Sequence, residues 1–365
     1  MTAQAPSRSV ARALAVVPLL LAAVGCESNV GALEHEATGV ATSAIVHGTD
    51  SDATQDAVVL VEHYDAIQIG GAAAGCSGTL LTPRLVLTAR HCVADTDESV
   101  ACDSAGNPTA GGGVHGDHLA SKMYAFGGAQ RPDFLTGLEM GARGVEIIDD
   151  AAMTLCNHDI ALILLDRAVP GAKIAPVRLD GGPHADEIVT VVGWGVSDKS
   201  TDPAARQQRT GVKVTRVGPA PALGPAEFEL GESGCAGDSG GPALASSGAV
   251  LGVLSRGGNG SGAMPGDPAL CIGADNIFTK ASSFKDLILG AYAKAGQDPW
   301  NEGDPDPTTL PPKPPAPEKT SGCAVAGAAP GAPGSSSSSL SHGAFGAFGV
   351  LAAIAACAMR RRPRS

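Results

Sequence analysis

An all-β domain closed by one helix is the fold class this 365-residue sequence predicts, and three observations predict it. Short β-branched runs recur through the middle of the chain, Gly and Pro punctuate them, and one later stretch has helical spacing. The runs are AVVLV (57–61), SGTLL (77–81), LVLTA (85–89), IALILL (160–165), IVTVVGWG (188–195), VKVTRV (212–217) and AVLGVLS (249–255). Gly (49) and Pro (26) are abundant while aromatic residues make up 3%, a composition suited to many tight turns. In ASSFKDLILGAYAKA (281–295), Phe284, Leu287, Ile288 and Tyr292 fall on one helical face. Periodicity leaves a sandwich and a barrel equally open. Residues 95–145 are Gly-rich and poorly patterned, which predicts long surface loops.

The formal net charge of −12 argues against a nucleic-acid partner, which needs a basic surface. The first 26 residues carry an export address: Arg8 and Arg12, then the apolar run ALAVVPLLLAAV, then Gly25-Cys26. The end of that run also resembles a bacterial lipobox, in which Cys26 is lipidated; Ala23 stands where Leu is preferred, so ordinary signal cleavage is the competing reading. Residues 27–44 are small and polar and read as a pro-segment or spacer, and residues 45–295 hold the strands. From 296 the chain turns Pro-rich, then Ser-rich (296–342, with Cys323 in SGCAVAG), then apolar over 343–359, and ends in RRRPRS. An apolar stretch of that length just suffices to span a bilayer, with the Arg cluster cytoplasmic. The arrangement resembles the C-terminal sorting tails of myxobacterial surface proteins, which implies processing near Cys323. The expectation is an exported protein, held at the cell surface or outer membrane through a terminal segment or released from it.

Nine cysteines are present, and six lie in the body: Cys76, Cys92, Cys102, Cys156, Cys235 and Cys271. An even number in an exported domain reads as three disulfides. Metal ligation is the alternative, but no C-x-x-C pair occurs. No metal and no cofactor are expected.

Three segments carry chemistry. GDSGGP (237–242) places a serine among glycines, where its hydroxyl can be exposed and backbone N–H groups can point at a developing oxyanion. LTARHCV (87–93) puts His91 at the end of a strand, and HDIALILL (158–165) puts Asp159 at the start of one. A histidine beside a cysteine, or an aspartate before a strand, is ordinarily structural. In the order His, Asp, Ser and beside CSGTLL (76–81), the three resemble the chymotrypsin/trypsin family of serine proteases over roughly residues 45–293. VVGWG (191–195), SRG (255–257, with Arg256 in place of Trp), NIFTK (276–280) and IVHG (45–48, with His47 in place of Gly) resemble further segments of that family. Arg90 stands where Ala is usual, and the 68-residue gap from His91 to Asp159 is long, as an insertion over 95–145 would make it.

The resemblance implies two six-stranded antiparallel β-barrels and a C-terminal helix, the first barrel over about 45–170 and the second over about 171–280. It implies a catalytic triad of His91, Asp159 and Ser239, and an oxyanion hole formed by Gly237 and Ser239. Ser233 would lie at the base of the substrate pocket, with Gly257 and Asn276 on its walls. Ser255 would face the Asp159–His91 pair. Cys76–Cys92 and Cys235–Cys271 follow the family's pattern, which leaves Cys102 for Cys156. Cleavage before Ile45 would free an amine to pair with Asp238. The residues before the cut, TSA, offer no Arg or Lys, so a protease of another specificity is the implied activating partner. Protein or peptide substrates are the other implied partners. Inactive binding proteins on this fold generally lack a triad residue, whereas all three are present here. Acidic residues of 95–117 read either as a solvated loop or, by analogy with a family loop, as a Ca²⁺ site.

Overall fold

The computed structural model describes residues 45–64, 74–134, 137–198, 200, 203–261 and 267–310. The leader with Cys26, the pro-segment, Cys323 and the apolar run with its Arg-rich end lie outside the described residues. Among the described residues, no helix is long and apolar enough to cross a membrane.

Six strands form a first closed barrel: β1 (Val58–His63), β2 (Ala74–Thr82), β3 (Leu85–Thr88), β4 (Met123–Phe126), β5 (Ala142–Ile148) and β6 (Ala161–Leu165). Around the barrel they run β1-β2-β3-β6-β5-β4 and back to β1. A second six follow: β7 (Ile188–Gly193), β8 (Gln207–Val217), β9 (Glu227–Leu230), β10 (Pro242–Leu244), β11 (Val250–Gly258) and β12 (Asp275–Lys280). These run β7-β8-β9-β12-β11-β10 and back to β7, the same circuit with every number raised by six. All of these pairings are antiparallel, and closure leaves neither barrel a free edge.

The uninterrupted apolar runs follow from burial on both faces. In β6, Ala161, Ile163 and Leu165 point into the first barrel with Val59, Val61, Val86 and Met123. Ile160, just before the strand, and the intervening Leu162 join Leu85, Leu87 and the helix outside it. A strand with a core on each side shows no polar alternation, so periodicity could not tell it from a core helix. The second barrel is filled by Val189, Val191, Val214, Leu230 and Leu251 around the Phe228–Phe278 pair, ring centroids 5.4 Å apart. Helix α1 (Lys285–Ala295) follows a single 3₁₀ turn, buries Ile288, Ala291, Tyr292 and Ala295, and ends on Gly296 at φ +69°.

Three expectations are corrected. Residues 45–50 belong to the second barrel, not the first: Ile45 is fully buried among its core residues, and Thr49 and Asp50 pair with Gln208 and Gln207 of β8. The stretch 95–145 is not loop throughout. It contains barrel strand β4, whose MYAF run is too short to register, and two small hairpin sheets, Ala94–Thr96 with Val114–Asp117 and Val100–Cys102 with Pro108–Gly111. The packed unit also continues past 295, because Trp300–Glu302 docks back on Val177 and Arg178 clasps Glu302 bidentately, Nη2 to Oε1 at 2.9 Å.

Three disulfides join Cys76 to Cys92, Cys102 to Cys156 and Cys235 to Cys271. Each contributes roughly 2–4 kcal/mol. The second fastens the insertion to the segment just before Asp159.

One buried cation ties the two barrels together. The Arg206 side chain is fully buried; it donates to Ser51 Oγ (2.7 Å), Val58 O (2.9 Å), Asp52 O (2.9 Å) and Gly128 O (3.2 Å), and it pairs with Asp56 (3.1 Å). Arg206→Ala should lower stability by about 3 kcal/mol, since it strands several carbonyls and a carboxylate. A denaturant midpoint unchanged from the parent would refute that.

Candidate active site

Antiparallel pairing of β6 with β3 sets Ala161 opposite Thr88. The residues just beyond, Asp159 on one strand and the 3₁₀ turn Arg90–Cys92 on the other, are thereby brought together. Asp159 is fully buried. Its Oδ1 accepts the His91 backbone N–H at 3.0 Å, and its Oδ2 lies 2.8 Å from His91 Nδ1 and accepts Ser255 Oγ–H at 2.6 Å. An ionised carboxylate only accepts, so the Nδ1 contact requires the proton on Nδ1 and leaves Nε2 free to act as a base. Burial presses the His91 pKa down, but the adjacent carboxylate outweighs it and the net shift is upward from 6.5. Burial likewise opposes ionisation of Asp159, yet the charge and hydrogen bonds of His91 and the Ser255 hydroxyl hold it below its usual value.

Ser239 lies on the loop between β9 and β10, and the first barrel grips that loop. Ser77 of β2 donates its N–H to Ser239 O (2.7 Å) and its Oγ–H to Gly237 O (3.0 Å), while its Oγ accepts Trp194 N–H (3.0 Å). Thr88 Oγ1 donates to Ser77 O at 2.8 Å. Gly237 has φ +93°, and a Cβ there would lie 2.7 Å from Gly195 Cα, so only glycine fits. Among the described residues no acceptor takes the N–H of Gly237 or of Ser239. Asp238 turns inward, fully buried, and accepts the N–H groups of Gly195 (2.7 Å) and Cys235 (2.9 Å). Burial raises its pKa to about 8 despite those bonds.

His91, Ser239, Ser255, Gly257 and Asn276 line one cavity of about 650 Å³. Its wall over Ala94–Val100 is supplied by the insertion. Of the residues assigned to substrate binding from the sequence, Ser233 is the exception. It is fully buried, does not line the cavity, and its Oγ has no hydrogen-bond partner among the described residues. Asp275, next to Asn276, is exposed and lies outside the cavity lining.

The departures from the family's pattern have local reasons. Arg90 is 5% exposed and pairs with Asp117, inside the insertion, and Asp149, just after it. Arg256 pairs bidentately with Glu227, at 2.6 and 2.9 Å, and Glu227 also accepts the N–H groups of Gly224 (2.8 Å) and Asn157 (3.1 Å). That network links the strand beside the cavity to the segment entering Asp159. Sequence reasoning missed Glu227 and Ser77; alternate glutamates in EFEL (227–230) were the available signal, since a glutamate buried in a strand requires a cation. Two acids of 95–117 bond within the stretch: Asp97 accepts Gly113 N–H and pairs with His115, and Asp103 accepts the N–H groups of Ala105 and Asn107. Cys76, His91 and Cys92 cluster as metal ligands would, but the two sulfurs are bonded to each other.

The family model for trypsin matches residues 61–286. The chain is similar to beta-fibrinogenase mucrofibrase-1 of Protobothrops mucrosquamatus, 29% identical over 260 residues that cover 67% of this chain and 88% of that one. It is 27% identical to the thrombin-like enzyme elegaxobin-1 of Protobothrops elegans, over 67% of this chain and 97% of that one. With beta-fibrinogenase brevinase of Gloydius blomhoffii the identity is 31%, over 60% of this chain and 86% of that one. The chain belongs to the trypsin family and is a serine protease.

Proposed function

We propose that this chain is an exported serine endopeptidase, made as a latent precursor, with Ser239 as nucleophile, His91 as base and acid, and Asp159 as orienting carboxylate. The observation that carries the reading is the His91–Asp159 pairing at the edge of the cavity that Ser239 also lines. Ser239 Oγ bonds to the carbonyl carbon of the scissile peptide while His91 Nε2 takes its proton. The oxyanion so formed receives the N–H groups of Gly237 and Ser239. Collapse breaks the C–N bond, His91 returns the proton to the leaving amine, and an acyl-enzyme remains. Water then repeats the sequence and releases the acid. Asp159 stabilises the imidazolium in both halves.

Latency rests on Asp238. In the uncleaved chain its carboxyl is fully buried and burial raises its pKa to about 8, which favours the neutral form until a cation arrives beside it. Cleavage after Ala44 creates an ammonium on Ile45, whose side chain is already buried in the second barrel. The new ion pair would fix Gly237 and Ser239 in their donating orientation. An activating protease that cuts after a residue other than Arg or Lys is the partner this step needs. Protein beginning at Ile45 should hydrolyse peptides at least about 10²-fold faster than protein retaining 27–44, the loss expected when one oxyanion donor is misplaced. Equal rates from the two forms, measured on one peptide substrate, would sink the zymogen reading. The domain reading that accompanies it is a leader to 26, a pro-segment to 44, the protease unit, and a C-terminal tail that retains the enzyme at the cell surface.

A further inference from the structure

A side chain that the sequence reading placed on a wall, Asn276, reaches across the cavity lining from one wall to another. Asn276 is 2% exposed and lines the cavity, whereas Ser233 is fully buried and does not line it. Two glycine positions locate the amide between the walls. A Cβ on Gly257 would meet Asn276 Oδ1 at 2.6 Å, and one on Gly234 would meet the same atom at 3.6 Å. With the amide turned to suit its neighbours, its nitrogen donates to Gly234 O and its oxygen accepts the Ser233 N–H, both at 3.2 Å. The side chain thus crosses from β12 to the Ser233–Gly234 segment like a bar, under Gly257. Its bonds to backbone on the far wall resist displacement by an entering group. Ser233 is fully buried and outside the cavity lining, and its Oγ has no hydrogen-bond partner among the described residues.

We propose that Asn276 sets the substrate class of the site described above: the enzyme cleaves after small uncharged residues, alanine foremost, because the amide bar removes the depth an aromatic or basic side chain needs. This inference rests on the serine-endopeptidase reading. It also has a consequence for the chain itself. Ala44, which precedes the Ile45 amine, is a small uncharged residue, so one mature copy can cut the precursor of another. The activating protease is then a second copy of this chain. A pocket that lacks a basal carboxylate and is short accepts Ala44, whereas an Arg-specific enzyme does not.

The test uses protein beginning at Ile45 and peptides identical except at the residue before the scissile bond. Alanine should exceed both phenylalanine and arginine in kcat/KM by at least about tenfold, the low end of what pocket fit supplies. Asn276→Gly should raise kcat/KM for the phenylalanine peptide about tenfold or more and change the alanine peptide little. If that variant fails to fold, Asn276→Ala and the parent's own profile still decide the matter. In a second arm, full-length Ser239→Ala precursor, which cannot cut itself, is incubated with the mature enzyme. A new N-terminus at Ile45 is expected. Preference for phenylalanine or arginine in the parent, or precursor left intact by an enzyme that cleaves the alanine peptide, would overturn the corresponding part of the proposal. No hydrolysis of any peptide would instead count against the endopeptidase reading.

Discussion

Ser239→Ala, in protein beginning at Ile45, is expected to lower kcat by about 10⁶-fold while leaving the fold intact. The loss is large because the hydroxyl supplies the only bond-forming atom in the proposed route, and neither His91 nor the oxyanion donors can substitute for it. The fold should survive because the loop is held by backbone: Ser239 O accepts the Ser77 N–H at 2.7 Å, and Gly237 O accepts the Ser77 hydroxyl at 3.0 Å. Alanine keeps both carbonyls. A thermal midpoint within about a degree of the parent, with activity lost, is the expected pair of results. Activity reduced by less than about 10³-fold would mean that another group can act as nucleophile.

Asp159→Asn is expected to cost about 10⁴-fold in kcat, a loss typical of triads with that change. The carboxylate meets three donors: the His91 backbone N–H, the His91 ring and the Ser255 hydroxyl. Asparagine keeps one acceptor and gains a donor. If its NH₂ faces His91 Nδ1, the ring proton moves to Nε2 and the base is lost. The pH profile separates this from a mere loss of packing. Burial lowers the His91 pKa and Asp159 raises it, with a net rise above 6.5. Since the base must be neutral, activity of the parent should fall as pH drops through that raised value. Removing the carboxylate leaves burial unopposed, so the acid limb of the residual activity should move to lower pH. A limb that stays in place would show that Asp159 does not set the ionisation of His91.

Much of this was legible in the sequence because the chemistry sits in contiguous strings. GDSGGP requires glycine where φ is +93° at Gly237 and +76° at Gly240, and that demand shows in any reading of the chain. His91 and Asp159 were recognisable through their strands, since LVLTA and IALILL are apolar enough to stand out. The barrels themselves were not readable from periodicity, because strands buried on both faces lose their alternation. Strand β4 was hidden by its length, and β9 by its glutamates, which are buried only because Arg256 and Arg216 meet them. Pocket depth was beyond the sequence for a different reason. Ser233 and Asn276 are 43 positions apart, and which of them lines the cavity follows from how two separate segments pack together. Likewise the docking of residues 300–302 depends on Arg178, which nothing in a Pro-rich run announces.

Covalent labelling of the active-site serine tests the central claim most directly. Protein beginning at Ile45 is treated with a peptidyl phosphonate carrying alanine at the reactive position, and the adduct is located by mass spectrometry of its peptides. One phosphonate per chain, on the peptide containing Ser239, is the result expected here, absent from Ser239→Ala and strongly slowed in Asp159→Asn. No adduct, or an adduct on another residue that persists in Ser239→Ala, would contradict the assignment of Ser239 as the nucleophile of this protease.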